Sequence, residues 1–204
     1  MEKKAKKIAL LIGRGGRLKA VYNCAESNPL VDLTVVVSHK KESPGVDWAR
    51  ERGIESAYFR LSDWKGTRKS YETALAEFLI KRKINLIVMA GWDLVMSDNF
   101  LKYFPNRVIN IHPALCPAFP GQDAEKQALN YGVKYTGCTL HFVDEGVDTG
   151  PIILQRVVEI KPSDTVGALQ KRIHKKEEEL LCGGIKLFAE ERLKIKGRKV
   201  FIKE

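Results

Sequence analysis

The stretch Ile8-Ala9-Leu10-Leu11-Ile12-Gly13-Arg14-Gly15-Gly16-Arg17-Leu18 joins five consecutive apolar residues to a glycine-punctuated turn. A short, uninterrupted apolar run bounded by glycine fits a strand buried on both faces, as in a parallel sheet covered by helices. The residues that follow, Leu18 to Glu26, have helical spacing, so the segment reads as strand, loop and helix in succession. The rhythm recurs. Leu33 to Val37, Leu86 to Ala90 and Arg107 to His112 are further β-rich runs, while Pro44 to Arg52 and Arg68 to Lys83 carry helical spacing, with Gly53 as a helix stop. Such alternation builds βαβ units. Thr136 to Phe142 and Ile152 to Ile160 read as later strands, and a long helix lies within Thr165 to Arg192. The expected fold is α/β: a single Rossmann-like domain over residues 1–204, with a mostly parallel central sheet and helices on both faces.

With 204 residues and 44% hydrophobic content the chain can bury one core, and no apolar run approaches the length of a membrane-spanning helix. Met1 to Lys7 is basic, but Ile8 to Ile12 is too short for a signal-peptide core and no small-residue cleavage site follows. A cytoplasmic location without a membrane partner is therefore expected. The formal net charge of +10 comes from lysines concentrated at the two ends and on expected helices rather than among interleaved aromatics, which argues against a nucleic-acid partner. A positive field instead favours arrival of a phosphorylated or carboxylated small molecule. The lysine- and glutamate-rich composition also fits a heat-adapted source. Cys24, Cys116, Cys138 and Cys182 form no Cys-x-x-Cys pair, so neither a metal site nor a disulfide framework is indicated and reduced, mostly buried thiols are expected.

In Gly13-Arg14-Gly15-Gly16-Arg17, successive glycines would let backbone N–H groups approach an anion, and the helix start adds a favourable dipole. A phosphate cradle and a plain tight turn both satisfy this. A dinucleotide fingerprint would need a third glycine where Leu18 stands and an acidic residue where Ser38-His39-Lys40 stands, which disfavours a nicotinamide dehydrogenase.

The chemistry concentrates in Asn110-Ile111-His112-Pro113-Ala114-Leu115-Cys116-Pro117. On a strand ending at His112, Asn110 and His112 share one face, so an amide and an imidazole could reach the same substrate atom. The prolines stop the strand and stiffen the loop after it. Farther on, the acidic, glycine-rich run from His141 to Pro151 follows another strand and could supply the carboxylate that His112 needs.

Taken together, the glycine loop, Asn110 to Gly121 and His141 to Gln155 resemble the phosphoribosylglycinamide formyltransferases of the folate-dependent formyltransferase superfamily. The resemblance runs from about Ile8 to the end of the chain. It implies an enzyme of purine biosynthesis in which the amine of 5'-phosphoribosylglycinamide attacks the formyl carbon of 10-formyltetrahydrofolate, a co-substrate, without a metal. Asn110 would donate to the developing oxyanion, and protonated His112 would stabilise it and pass a proton to the leaving folate nitrogen. Asp148 would favour the imidazolium form of His112 and organise the water that takes the amine's proton.

Other positions carry over one at a time. Gly15, Gly16 and Arg17 match the family's phosphate loop, which commonly ends Gly-Ser-Asn; Arg17 would compensate by pairing directly with phosphate. Glu177 stands where the family places an acid for the substrate amine or ribose, and His174 replaces a commoner glutamine one turn earlier on the same face. Arg68 matches an arginine near the folate tail. Gly91-Trp92-Asp93-Leu94-Val95-Met96-Ser97 stands where the family reads Gly-Phe-Met-Arg-Ile-Leu-Ser along the pterin pocket. Leu94, Val95 and Met96 keep an apolar wall and Asn110 adds a polar contact, but Asp93 and Leu94 replace methionine and arginine, which implies a weaker hold on the anionic glutamyl tail. Cys116-Pro117 matches a cis peptide of the family, His141 reads as a structural partner of the acidic loop, and His39 as incidental. The expected state is monomer or homodimer. The alternatives keep the fold: a formyltransferase for another amine, a formyl-folate hydrolase, or a noncatalytic folate or nucleotide binder.

Overall fold

In the computed structural model, which describes residues 4–204, the chain divides into two compact units, Met1–Ile109 and Asn110–Glu204. The elements in chain order are β1 (Lys6–Ile12), α1 (Leu18–Glu26), β2 (Val31–Ser38), α2 (Pro44–Arg50), β3 (Glu55–Tyr58), a 3₁₀ turn (Leu61–Asp63), α3 (Arg68–Lys81), β4 (Leu86–Ala90), α4 (Asp98–Leu101), β5 (Val108–His112), α5 (Ala124–Tyr131), β6 (Tyr135–Phe142), β7 (Ile152–Glu159), α6 (Val166–Ala189), β8 (Leu193–Lys196) and β9 (Lys199–Ile202).

The first unit is built on the run that opens the chain. β1 pairs in parallel with β2 on one side and β4 on the other, and β3 extends the sheet in parallel beyond β2. Ile8 to Ile12 have no exposed surface, as expected for a central parallel strand covered on both faces. Register brings three loops together. Ile12 lies opposite Ser38 on β2 and Ala90 on β4, so the loops after these three strands leave the sheet at the same end and side by side. In an open α/β sheet that end is where ligands bind.

The glycine loop is drawn tight against its neighbours. The hydroxyls of Ser38 and Ser43 both donate to the Gly13 carbonyl at 2.8 Å, and the Gly45 N–H donates to the Arg14 carbonyl at 3.1 Å. Gly15 has φ +94°, and a Cβ there would lie 2.7 Å from the Gly45 Cα; the reciprocal Cβ on Gly45 would lie 2.9 Å from the Gly15 Cα. Two backbones therefore touch at a point where neither can carry a side chain. At Gly16, by contrast, a Cβ would meet nothing within 4 Å. Packing demands glycine at 15 but not at 16.

In the second unit β6 and β7 are antiparallel, β8 and β9 form a hairpin around Gly197-Arg198, and β9 touches β7 in parallel at Lys199 and Ile152. α6 buries Leu169, Ile173, Glu177, Leu180, Leu181, Gly184 and Ile185, spaced by three or four residues along one stripe. The close approach of α6 to β6 runs through Gly184, where a Cβ would sit 2.1 Å from Leu140 Cδ2.

The expected parallel sheet holds throughout the first unit, while the second adds antiparallel pairs. β3 and the β8–β9 hairpin have no counterpart in the sequence reading: β3 is four residues long with none fully buried, and β8 and β9 are short and largely exposed. Neither offers the apolar run that marks a core strand. The cysteine expectation needs correction. Cys116 and Cys138 are free and buried, but Cys24 and Cys182 are each disulfide-bonded, a relation that wide sequence spacing cannot reveal. Among the described residues no helix is long and apolar enough to cross a membrane.

Replacing Gly45 by Ala should push the glycine loop off α2 and lower stability by roughly 1–3 kcal/mol, the usual cost of overpacking. Urea unfolding should show a lower midpoint with an unchanged slope. An unchanged midpoint would mean that the Gly15–Gly45 contact does not constrain the loop.

Candidate active site

β5 delivers Asn110 and His112 on one face, as the period of a strand requires, and both meet the carboxylate of Asp148. Asn110 Nδ2 lies 3.3 Å from Asp148 Oδ1, and His112 Nδ1 lies 3.2 Å from Asp148 Oδ2. The backbone N–H of Gly121 donates to the same Oδ2 at 2.9 Å. His141 brings a second imidazole, with Nε2 at 3.5 Å from Asp148 Oδ1 and 3.4 Å from Asn110 Nδ2. One carboxylate thus organises an amide, two imidazoles and a backbone donor. Burial pushes the Asp148 carboxyl up, but the hydrogen bonds from His141 and Gly121 and the charges of His112 and His141 outweigh it, holding the group below the usual aspartate range.

The second nitrogen of His112 also has a partner. Nε2 lies 2.8 Å from the Phe119 carbonyl oxygen, which can only accept, so Nε2 carries a proton. With an acceptor at each ring nitrogen, the imidazolium form satisfies both positions. The ring is 3% exposed.

The loop that carries Asp148 is shaped by its own short contacts. Asp144 Oδ1 accepts from the Gly146 N–H at 3.2 Å and the Thr149 hydroxyl at 2.6 Å, and Asp148 itself is left-handed at φ 55°. A Cβ on Gly150 would lie 1.7 Å from the Phe142 carbonyl oxygen, so only glycine lets the loop return to the sheet. The proline loop before it is fastened through Thr139. That hydroxyl donates to the Ala114 carbonyl at 2.7 Å and accepts from the Cys116 N–H and from Gln155 Nε2, both at 3.0 Å, which uses its full capacity. The Cys116-Pro117 peptide is cis, as the resemblance implies. Burial pushes the Cys116 thiol up, and an un-ionised thiol is a poor nucleophile.

His141 partners the acidic loop through Asp148, as its sequence reading implies. Glu177 is almost fully buried on the apolar stripe of α6, and His174, one turn earlier, is half-buried. Among the described residues no group of three or more His, Cys, Asp or Glu side chains is arranged so that it could hold a metal ion.

In the first unit, Gly15, Gly16 and Arg17 lead into α1, with Arg17 at its N-cap and open space over Gly16. Asp93 is engaged on both oxygens: Oδ2 with Lys40 Nζ at 2.6 Å, and Oδ1 at 2.9 Å from His39 Nε2 in an ion-pair contact without good hydrogen-bond alignment. The His39 ring packs edge-on against Trp92 at 4.8 Å. Burial pulls its imidazole down more strongly than Asp93 pulls it up, so Lys40 is the main countercharge of Asp93. Of the apolar wall, Val95 is exposed and Leu94 partly so, whereas Met96 is buried in the core. Arg68 pairs with Glu72 and with the Val95 carbonyl.

Comparison with known proteins places the chain in a family. The formyl transferase family model matches residues 6–185. The chain is 39% identical over 181 residues to the trifunctional purine biosynthetic protein adenosine-3 of Drosophila melanogaster, covering 87% of the chain but only 13% of that longer protein. It is 37% identical over 166 residues to the phosphoribosylglycinamide formyltransferase of Bacillus subtilis, covering 81% of the chain and 85% of the relative. The crystal structure of glycinamide ribonucleotide transformylase 1 from Symbiobacterium toebii superposes with a TM-score of 0.95 at 40% identity, covering 100% of this chain and 96% of the other. Because the family match runs from the first strand into the last long helix, it takes in the glycine loop and the Asn-His-Asp cluster together, and the chain belongs to the formyl transferase family.

Proposed function

We propose that this chain transfers the formyl group of 10-formyltetrahydrofolate to the amine of 5'-phosphoribosylglycinamide in purine biosynthesis, acting as one functional domain over residues 1–204. The observation that carries the reading is the Asp148 carboxylate, which holds Asn110 on one oxygen and His112 on the other. The names of the Bacillus subtilis and Symbiobacterium toebii relatives support the acceptor and the group transferred.

The steps follow from these groups. The acceptor's amine attacks the formyl carbon, forming a C–N bond and an oxyanion. Asn110 presents amide N–H groups to that oxygen, and His112 adds a charge-assisted donor. The bond from the formyl carbon to the folate nitrogen then breaks, the Nε2 proton of His112 moves to that nitrogen, and the proton lost by the amine passes through water to the Asp148–His112 pair. Gly15, Gly16 and Arg17 would hold the acceptor's phosphate, Glu177 and His174 its ribose or amine end, and Arg68 with residues 93–96 the donor side. Open space over Gly16 supports the phosphate cradle, since packing does not explain that glycine.

We also propose a cytoplasmic enzyme without nucleic-acid or membrane partners. The disulfide-bonded Cys24 and Cys182 suit that compartment in a heat-adapted organism, whose intracellular proteins can be disulfide-rich, and the lysine- and glutamate-rich composition points the same way.

His112→Ala or Asp148→Asn should lower kcat by about 10²–10⁴, the range of a lost acid–base or oxyanion contribution, while acceptor affinity stays within a few-fold. Steady-state assay of each purified variant with both substrates checks this, and near-wild-type turnover in either would remove the role given to the pair.

A second expectation concerns pH. Because the folded Asp148 carboxyl is depressed, it stays ionised as pH falls through the ordinary aspartate value, and its contribution to stability, complete above that value, is lost only at lower pH. Carboxyl ¹³C NMR should therefore give Asp148 a midpoint below that of an exposed aspartate. A midpoint above it would show that burial outweighs the donors.

A further inference from the structure

The β8–β9 hairpin lies beyond the residues that the formyl transferase family model matches, and the proposed chemistry gives it no part. It is nevertheless built against the loop that carries Asp148. Its strands pair from Leu193 and Ile202 to Lys196 and Lys199, so only Gly197 and Arg198 make the turn, and Gly197 takes the left-handed φ of 59° that suits its first position. The open end is closed by Arg192, whose carbonyl accepts from the Lys203 N–H at 2.9 Å and whose Nε donates to the Lys203 carbonyl at 2.6 Å. β9 meets β7 through the pair of Lys199 and Ile152, at the residue where β7 begins. The turn therefore stands beside the loop that leads into β7. From it Arg198 reaches across, and its Nη2 donates to the Thr149 carbonyl at 2.7 Å.

Thr149 follows Asp148, whose own backbone is left-handed at φ 55°, a conformation open to aspartate but not the one it prefers. Something must hold it there. Asp144 accepts from the Thr149 hydroxyl, but it belongs to the same loop, so this bond folds the loop on itself without fixing it to the sheet. A Cβ on Gly146 would run into the same hydroxyl, which keeps that fold tight. The Phe142 N–H donates to the Pro151 carbonyl at 2.9 Å and sets where the loop closes. Arg198 is different. It comes from a separate element at the edge of the sheet and ties down, with a charged donor, the peptide next to Asp148.

We propose that Arg198 is a positioning residue for Asp148, holding the Thr149 carbonyl so that the carboxylate keeps its aim at Asn110 and His112. The inference rests on the reading of Asp148 as part of the formyl-transfer chemistry. A bond this far from the reacting atoms matters because turnover falls steeply when a catalytic group is displaced, and the groups behind it set its place.

The test is Arg198→Ala, a change at an exposed position. It should lower kcat about tenfold while KM for each substrate stays within about twofold, the pattern of a group that acts on the reaction rather than on binding. In the free variant, carboxyl ¹³C NMR should show the Asp148 midpoint raised toward that of an exposed aspartate, since a loosened loop weakens the donors that hold it down. The rise should persist in about 0.5 M salt, which screens a charge acting from a distance but does not restore a lost contact. Arg198→Lys, which keeps a charged donor, should recover most of the lost turnover. An unchanged Asp148 midpoint in Arg198→Ala, a rise that salt abolishes, or turnover within about twofold of wild type would overturn the proposal. A wild-type protein that transfers no formyl group would defeat the proposed function, while the Asp148 midpoint would still decide the positioning.

Discussion

The carboxylate of Asp148 is the constraint on which the site depends. Taking a carboxylate out of water is costly unless donors replace the water, and four do: Asn110, His112, His141 and the Gly121 N–H. Satisfying the aspartate therefore also fixes the groups proposed to react. Asn110 and His112 cannot drift apart without leaving a buried charge short of partners, and the left-handed backbone of residue 148 is held by the Asp144 and Gly150 contacts around it. The bond from His112 to the Phe119 carbonyl sets the direction in which the remaining proton points. Preorganisation of this kind lets a site stabilise developing charge without rearranging during the reaction.

Much of this was legible in the sequence because strand periodicity is strict. The two-residue spacing of Asn110 and His112 puts both on one face, and the prolines after them mark where the strand ends. Continuous apolar runs at Ile8 to Ile12 and Leu86 to Ala90 identified central parallel strands for the same reason. The register that brings the loops after β1, β2 and β4 to one end is not written in any single segment. It arises when neighbouring strands pair, as Ile12 does with Ser38 and Ala90.

The departures from the family pattern illustrate the other limit. Asp93 read as an unbalanced negative charge in a pterin pocket, because a loop sequence does not tell where a side chain turns. In the structure Lys40 and His39 meet it, so the substitution at 93 belongs with the residues after β2 rather than standing alone. Arg68 read as an arginine near the folate tail, and its i, i+4 spacing to Glu72 pairs it with a buried acid as well. Met96 is buried where its neighbour Val95 is exposed, so the apolar run does not present one face. In each case the sequence left the direction of the side chain open.

The proposed activity turns on where the formyl carbon goes. A single-turnover reaction of the purified chain with [¹³C-formyl]-10-formyltetrahydrofolate and 5'-phosphoribosylglycinamide, followed by ¹³C NMR, answers this directly. The account predicts that the label appears as a formamide on the acceptor's nitrogen, in one-to-one amount with the tetrahydrofolate released. Label recovered as free formate, at a rate indifferent to the acceptor, would contradict it and identify water as the nucleophile.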